Sequence, residues 1–278
     1  MKEFGSLFIV STPIGNLEDI TYRAVDTLRN IDLILAEDTR HSSKLISHFQ
    51  ISKKMIAFHD HNEKSQHIKI IEKLKDGFNI ALISDAGTPL ISDPGFNLVR
   101  SAKQENINVV PIPGPSSPIA ALSASGLPAD SFTFFGFVPT KDSDRISFLG
   151  KLKHSSGTSI FFEAPSRILK TITLIKELYG SKGNVCLAKE ISKIHETIIT
   201  GDINKIIHYL EESPDHQKGE FVVLVGGLNY KEIDEKLVLL NEIIPHLLKE
   251  MSASKAARLA AKITSLDKDT CYKAIIEK

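Results

Sequence analysis

Ten short runs of β-branched and other apolar residues recur along the chain, separated by stretches whose apolar positions repeat at helical spacing. The runs at 7–12, 31–37, 55–59, 80–84 and 109–111 form one series. Those at 131–138, 158–163, 185–189, 196–200 and 221–225 form a second. Several, such as LILA, IALI and VVLV, are apolar at every position, which suits strands covered on both faces. The segments between them are amphipathic; in 65–76, Ile68, Ile71 and Leu74 share one helical face. Strand and helix in alternation predict α/β layers with mainly parallel sheets. Ten strands are too many for one comfortable sheet, and 278 residues exceed the roughly 100–200 usual for one domain. Two α/β domains are therefore expected, 1–114 and 115–229, joined near 111–118 and enclosing a cleft.

The tail departs from this pattern. Residues 231–248 and 252–278 read as helices without strands, punctuated by Pro245 and by the cap-like Ser252 and Asp267. A third, helical unit is expected over 230–278. From 249 to 278, seven Lys/Arg stand against four Asp/Glu, so this unit is either a basic face for a nucleic-acid backbone or a solvated cap. Elsewhere the charges balance, 34 against 34 over the whole chain, which argues against a strongly basic coat. An apolar content of 42% excludes disorder on composition, and no apolar run approaches the roughly 20 residues that span a bilayer. The opening MKEFGSLFIVST has too short an apolar stretch for a signal peptide, so a soluble, cytoplasmic protein without a membrane partner is expected. Cys186 and Cys271 are far apart, which leaves no disulfide framework and no CxxC zinc site.

Loops at strand ends come first in a search for chemistry, because open α/β sheets bind ligands outside the carboxyl ends of their strands. The first, Ser11-Thr12-Pro13-Ile14-Gly15-Asn16, lacks a GxGxxG spacing, and a Walker loop is absent too. The second, Ser84-Asp85-Ala86-Gly87-Thr88-Pro89, delivers an Asp and a flexible Gly from a buried strand. Asp93, in the Ser-Asp-Pro-Gly that follows, reads more simply as a turn or cap. The third, Gly114-Pro115-Ser116-Ser117-Pro118, feeds a stretch of small residues that suits either close ligand approach or tight helix–sheet packing. A fourth set places charge at strand ends: Glu37-Asp38-Thr39-Arg40, His59-Asp60-His61-Asn62, Glu163 to Arg167, and Lys189-Glu190. These could bind phosphate and orient a hydroxyl, or could be ion pairs between loops. His59, His61 and His67 lack an accompanying ligand pattern, so no metal is expected.

The phrases STPIGNLEDITYRA, ILAEDTR, ALISDAGTPLISDPG, VVPIPGPSSPIAALSASGLP, FTFFGFVP, FFEAPSRI, LAKEISKIHET and KGEFVVLVGG, in this order, resemble the tetrapyrrole methylase superfamily. More closely they resemble its branch that methylates small-subunit ribosomal RNA. The likeness runs from about residue 7 to 227, and the basic tail is similar to that branch's C-terminal helical domain. Tetrapyrrole enzymes of the superfamily usually carry GxGPGD at the first loop; this chain has TPIGNLED, as the RNA branch does.

The resemblance implies a homodimeric enzyme with S-adenosylmethionine folded into the cleft between two α/β domains. It implies 2′-O-methylation of a cytidine in the decoding region of 16S rRNA, within the 30S subunit, with 1–114 on the RNA side. Carried over by position, cofactor contacts fall on Pro13, Ile14, Gly15, Asp85, Ala86, Gly87, Thr88, Ser116 and Ser117. Later ones fall on Phe162, Glu163, Ala188, Lys189, Glu220 and Phe221. A ribose hydroxyl is a poor acid, so a base is expected, with Glu37, Asp38, His59 and Glu190 as candidates and Arg40 to polarise the oxygen. Arg40, Asn62, Arg167, Lys255, Arg258 and Lys262 are the candidates for holding RNA. The alternatives are a small-molecule (tetrapyrrole) methyltransferase and a non-catalytic ribosome-binding protein.

Overall fold

The computed structural model describes residues 3–276 apart from 153, 154, 156, 181, 182, 228 and 229. The first sheet contains β1 (Ser6–Val10), β2 (Leu33–Ala36), β3 (Met55–Ala57), β4 (Ile80–Ile83) and β5 (Asn108–Ile112). All its pairings are parallel, in the order β3-β2-β4-β1-β5. Side chains alternate across the strands as the pleat requires. Leu33, Leu35, Ile80 and Leu82 face one core with Ile70 and Leu74 of α3 (Asp60–Lys75) and Leu98 of α4 (Phe96–Gln104). Ile34, Ala36, Ala81 and Ile83 face the other with Leu28 of α1 (Tyr22–Asn30) and Ile46 of α2 (Thr39–His48). Every residue of β2 and β4 is buried, which is why LILA and IALI are apolar throughout.

The chain leaves β1 toward α1 on one face and leaves neighbouring β4 toward α4 on the other. Adjacent strands whose connections diverge in this way open a crevice at their carboxyl ends. The loops after β1 and β4 border it.

The second sheet is where the sequence expectation fails. Its strands are β6 (Phe132–Phe137), β7 (Thr158–Glu163), β8 (Asn184–Lys189), β9 (Thr197–Asp202) and β10 (Phe221–Val225), in the order β6-β7-β10-β8-β9. Only β6 and β7 pair in parallel; the other three pairings are antiparallel. The reason lies between β8 and β9, where residues 190–196 are too few for a crossover helix, so the chain doubles back. With β9 and then β10 running against β6, β7 and β8, the sheet is mixed.

Helices α6 (Asp142–Leu152), α7 (Ile168–Tyr179) and α8 (Ile203–Glu212) cover one face of this sheet. On the other, α5 (Ser117–Ser125) packs Ala121 and Leu122 against Ile160, Cys186, Ala188 and Leu224. The small residues of α5 thus include ones that serve close helix–sheet packing.

The C-terminal helices form a core of their own around Leu240, Ile244, Ala256, Ala260, Cys271 and Ile275. Pro245 lies inside α9 (Tyr230–Glu250) and does not end it. The helical stretch expected over 252–278, punctuated at Asp267, is two helices, α10 (Ala253–Thr264) and α11 (Lys268–Ile276). Ser265, at φ 56°, breaks the run, and the Asp267 carboxylate caps α11 by accepting from Thr270 N–H at 2.9 Å. The boundary expected at 229–230 falls beside 228 and 229, outside the described residues. No helix among the described residues is long and apolar enough to cross a membrane.

Candidate functional site

Three loops at the carboxyl end of the first sheet are knitted together before any ligand is considered. Thr12 and Gly87 exchange backbone hydrogen bonds at 2.9 and 3.1 Å. The Thr12 hydroxyl donates to the Ser84 carbonyl at 3.1 Å. The Thr88 hydroxyl donates to the Pro115 carbonyl at 3.0 Å and pairs with the Ser11 hydroxyl at 2.9 Å. Gly87 holds φ +83°, a conformation costly for a residue with a Cβ, and a Cβ there would also meet Ile14 at 3.4 Å. The Gly-Thr of the second loop is therefore what lets it run against the first.

A second set of contacts crosses from this sheet to the other. Asn16 N–H donates to the Ser192 hydroxyl at 3.2 Å, and that hydroxyl donates to Asp19. Gly15 lies so close to Lys193 that a Cβ would come within 2.5 Å of its Cγ. The 190–196 turn between β8 and β9 thus clasps the loop after β1.

Between the two sheets lies a cleft of about 490 Å³. Ile14, Glu37, residues 85–88 and residues 91–93 wall it on the first-sheet side. Phe137, residues 162–165 and 220–222 wall it on the other, and Ser116, Ser117 and Pro118 at the start of α5 border it. Of the positions carried over for a cofactor, Ile14, Asp85, Ala86, Gly87, Thr88, Ser116, Ser117, Phe162, Glu163, Glu220 and Phe221 line this space. Pro13, Gly15, Ala188 and Lys189 do not. Gly15 serves the clasp, and Ala188 is packed in the core beneath α5. Lys189 is buried with its Nζ donating to the Asp215 carbonyl at 2.5 Å.

The expected acid–base residues separate in space. Glu37 lines the cleft, and burial, followed by the nearby Asp85 charge, raises its proton affinity. Asp38 faces outward, caps α2, and is held below the usual carboxylate range by hydrogen bonds from the Arg40 side chain and backbone. Arg40 is exposed in that pair. His59 and Asn62 form the capping box of α3, where Asn62 Oδ1 accepts from His59 N–H at 2.9 Å and its amide donates to the Ala57 carbonyl. The side chain of His61 lies outside the described residues. Glu190 holds φ +51° outside the cleft. Burial would raise it, but hydrogen bonds from Glu220 N–H at 2.8 Å and Lys193 at 3.0 Å prevail and leave it lowered. Among the described residues no His, Cys, Asp and Glu cluster is arranged to hold a metal.

Glu163 and Arg167 belong to one buried network. The carboxylate is fully covered and accepts from Ala164 N–H at 2.7 Å, Arg167 Nε at 2.9 Å and the Thr171 hydroxyl at 2.5 Å. Arg167 is thereby committed to shaping the 162–165 wall, which leaves less of it for an RNA phosphate.

Asp93 is the lining residue that sequence reasoning passed over. Burial pushes its carboxyl up to about 6, tempered by the Ser84 hydroxyl and reinforced by the charges of Glu37, Asp85 and Asp60. The only hint was its place in the SDAGTPLISDPG phrase, where an Asp before Pro-Gly reads as a cap. Phe137, tilted against Phe162 at 5.1 Å, was likewise missed inside FTFFGFVP.

A separate depression of about 370 Å³ lies on the C-terminal helices. Lys255, Arg258, Lys262 and Lys268 rim it around Leu259 and Ala261. Among the described residues none of these four cations has an ion-pair partner.

Comparison with known sequences assigns the two parts separately. A family profile described as Tetrapyrrole (Corrin/Porphyrin) Methylases matches residues 6–207, and one described as RsmI C-terminal HTH domain matches residues 243–278. Ribosomal RNA small subunit methyltransferase I of Vibrio cholerae is 46% identical over 269 residues, covering 96% of this chain and 93% of its own. The protein of the same name from Pseudomonas aeruginosa is 44% identical over 275 residues, covering 99% and 98%. Among solved structures, diphthine synthase superposes with a TM-score of 0.60 at 12% identity over 80% of this chain and 90% of its own. Uroporphyrin-III-C-methyltransferase from Thermus thermophilus does so with a TM-score of 0.54 at 19% identity, over 80% and 94%. At those identities the structural likeness speaks for the fold alone.

Proposed function

The chain belongs to the tetrapyrrole (corrin/porphyrin) methylase family, and from that premise we propose that it methylates small-subunit ribosomal RNA with S-adenosylmethionine as donor. We propose further that the acceptor is the ribose 2′-hydroxyl of a cytidine in the decoding region of 16S rRNA, presented within the 30S subunit. The observation that carries the RNA reading is the chain's likeness, over nearly its whole length, to proteins named as ribosomal RNA methyltransferases. That likeness extends into the basic C-terminal helices, which the family profile ending at residue 207 does not reach. Four cations around one depression, without ion-pair partners among the described residues, suit a polyanion better than a small tetrapyrrole.

The cleft's donor set fits the cofactor. Phe137, Phe162, Ile14 and Val222 offer an apolar and aromatic surface for a purine, and Glu37 and Asp85 would place negative charge beside a sulfonium cation. The start of α5 at Ser116 and Ser117 offers hydroxyls and backbone N–H groups to a carboxylate. When bound, S-adenosylmethionine supplies an activated methyl group. The chain's part is to orient the acceptor oxygen, exclude water and receive a proton. Gly15 acts from behind the wall, in the clasp that holds the first loop.

The homodimer and the cytoplasmic location belong to the same reading. Support for the dimer is β6, an edge strand whose Phe132 and Phe135 are exposed. Light scattering of the purified chain tests it, with twice the chain mass expected.

Methyl transfer from labelled cofactor to 30S particles, followed by primer extension at low nucleotide concentration, tests the central claim. One ribose stop in the decoding region is expected, and none in particles treated with an Asp85→Arg variant. Methylation of uroporphyrinogen with 30S particles left untouched would overturn it.

A further inference from the structure

Resting on the reading of a ribose hydroxyl as acceptor, we propose that the Asp93 carboxylate takes the proton from that hydroxyl as the methyl group is transferred. Among the described residues, five that bear carboxyl groups line the cleft: Glu37, Asp85, Asp93, Glu163 and Glu220. Glu163 is saturated by Arg167, Thr171 and the Ala164 amide. Glu220 is exposed and paired with Lys193 at 3.1 Å. Asp85 accepts from the Asp38 N–H, and the Asp85 backbone favours the charge on Glu37. Each of these four therefore has a cationic or backbone donor whose loss would disturb the wall. Among the described residues Asp93 has neither, only the Ser84 hydroxyl beside it.

The local backbone supports the same assignment. Leu90 and Ser92 hold φ +73° and +71°, and Gly95 holds φ +124°. Two side-chain-bearing residues in left-handed conformation within three positions are unfavourable, and the packed loop imposes them. Ser92 abuts Gly136 of β6, so the loop is braced from the second sheet while Asp93 borders the cleft.

The charged groups around Asp93 suit it to the task. Glu37 at the end of β2, Asp60 at the start of α3 and Asp85 at the end of β4 all oppose its ionisation, and burial does so most. His59, beside Glu37, acts in the other direction on that neighbour. The outcome, about 6, leaves Asp93 ionised at neutral pH yet a far better proton acceptor than a solvated aspartate. In the transfer, the 2′-oxygen forms a bond to the methyl carbon while its own O–H bond breaks and the proton passes to Asp93. The electron pair of the broken carbon–sulfur bond stays on sulfur, so charge and atoms balance.

The test compares wild type, Asp93→Asn, Asp93→Ser and Glu37→Gln on 30S particles. Wild-type turnover is expected to rise with pH through about 6 and then level. Both Asp93 variants should lose about 100-fold or more in turnover, together with that rise, while cofactor affinity by calorimetry and 30S affinity stay within threefold. Independently of turnover, infrared difference spectra should show a protonated-carboxyl band that titrates near 6 and is missing from Asp93→Asn. Retention of more than a tenth of wild-type turnover with the pH rise intact in both Asp93 variants would overturn the assignment. So would loss of the pH rise in Glu37→Gln alone. A wild-type enzyme that methylates bases but no ribose overturns the acceptor reading itself, and this inference with it. Ribose methylation indifferent to Asp93 overturns only the inference.

Discussion

The Asp85 carboxylate accepts a hydrogen bond from the Asp38 backbone N–H at 3.1 Å, tying the carboxyl end of β4 to that of β2 at the wall of the cleft. The Asp85 backbone in turn favours the charged form of Glu37, against the burial that raises it. The end of β2 is thus fixed from the neighbouring strand, and α2 starts from a set position. Asp85→Ala removes the acceptor and leaves a partly buried N–H unmet, a loss of about 1–3 kcal/mol. A lower urea midpoint and weaker cofactor binding by calorimetry are expected, whereas Asp85→Asn, which keeps an acceptor oxygen, should stay near wild type in stability.

The Glu163–Arg167 pair is covered, and its carboxylate has no water to fall back on. Removing one partner strands the other, so Arg167→Ala or Glu163→Ala should each destabilise the fold by about 3–5 kcal/mol. Equilibrium denaturation checks this. A role of Arg167 confined to RNA phosphate would instead leave the midpoint unchanged and weaken only RNA binding.

Asp93 has a pH signature in stability as well as in turnover. Its folded value of about 6 lies above the 3.8 of an ordinary aspartate. The stability of its neutral form is therefore fully present below about pH 4 and lost as pH rises through about 6. Allowing for screening at a partly exposed site, the loss is about 1–2 kcal/mol. Asp93→Asn should accordingly melt higher than wild type at pH 8 and close to it at pH 4.5, a stabilised but impaired enzyme.

The clasp across the cleft rests on one hydroxyl. Ser192→Ala removes the acceptor of Asn16 N–H and the donor to Asp19 together. A modest loss of about 0.5–1.5 kcal/mol is expected. Faster amide exchange confined to 11–19 and 190–196 would locate it, and uniform exchange across the chain would show that the contact does not hold the loops.

The cationic depression on α10 and α11 predicts salt behaviour. Replacing Lys255, Arg258, Lys262 and Lys268 by Gln should weaken 30S binding and lower the slope of log affinity against log salt by roughly 1 per lost phosphate contact. Cofactor affinity should not change. An unaltered slope would remove this face from RNA binding.

The strands were legible in the sequence, LILA and IALI as apolar runs that burial on both faces suits, β6 and β9, which are less buried, through their aromatic and β-branched residues. The loops that border the cleft follow from where those runs end. Asp267 as a cap was legible for the same local reason. Tertiary structure alone decided that β10 inserts between β7 and β8 and runs against both, a pairing that no local run records. It also sorted the charged residues. Lys189 and Arg167 look like free cations in the sequence, yet one is buried on a carbonyl and the other is bound to Glu163. Asp93 looks like a cap, yet it sits among three other acidic residues in a partly closed space. Periodicity records whether a side chain is covered, a local property of the chain. Proton affinity and pairing are set by neighbours brought together from distant strand ends, and only the packed fold supplies those neighbours.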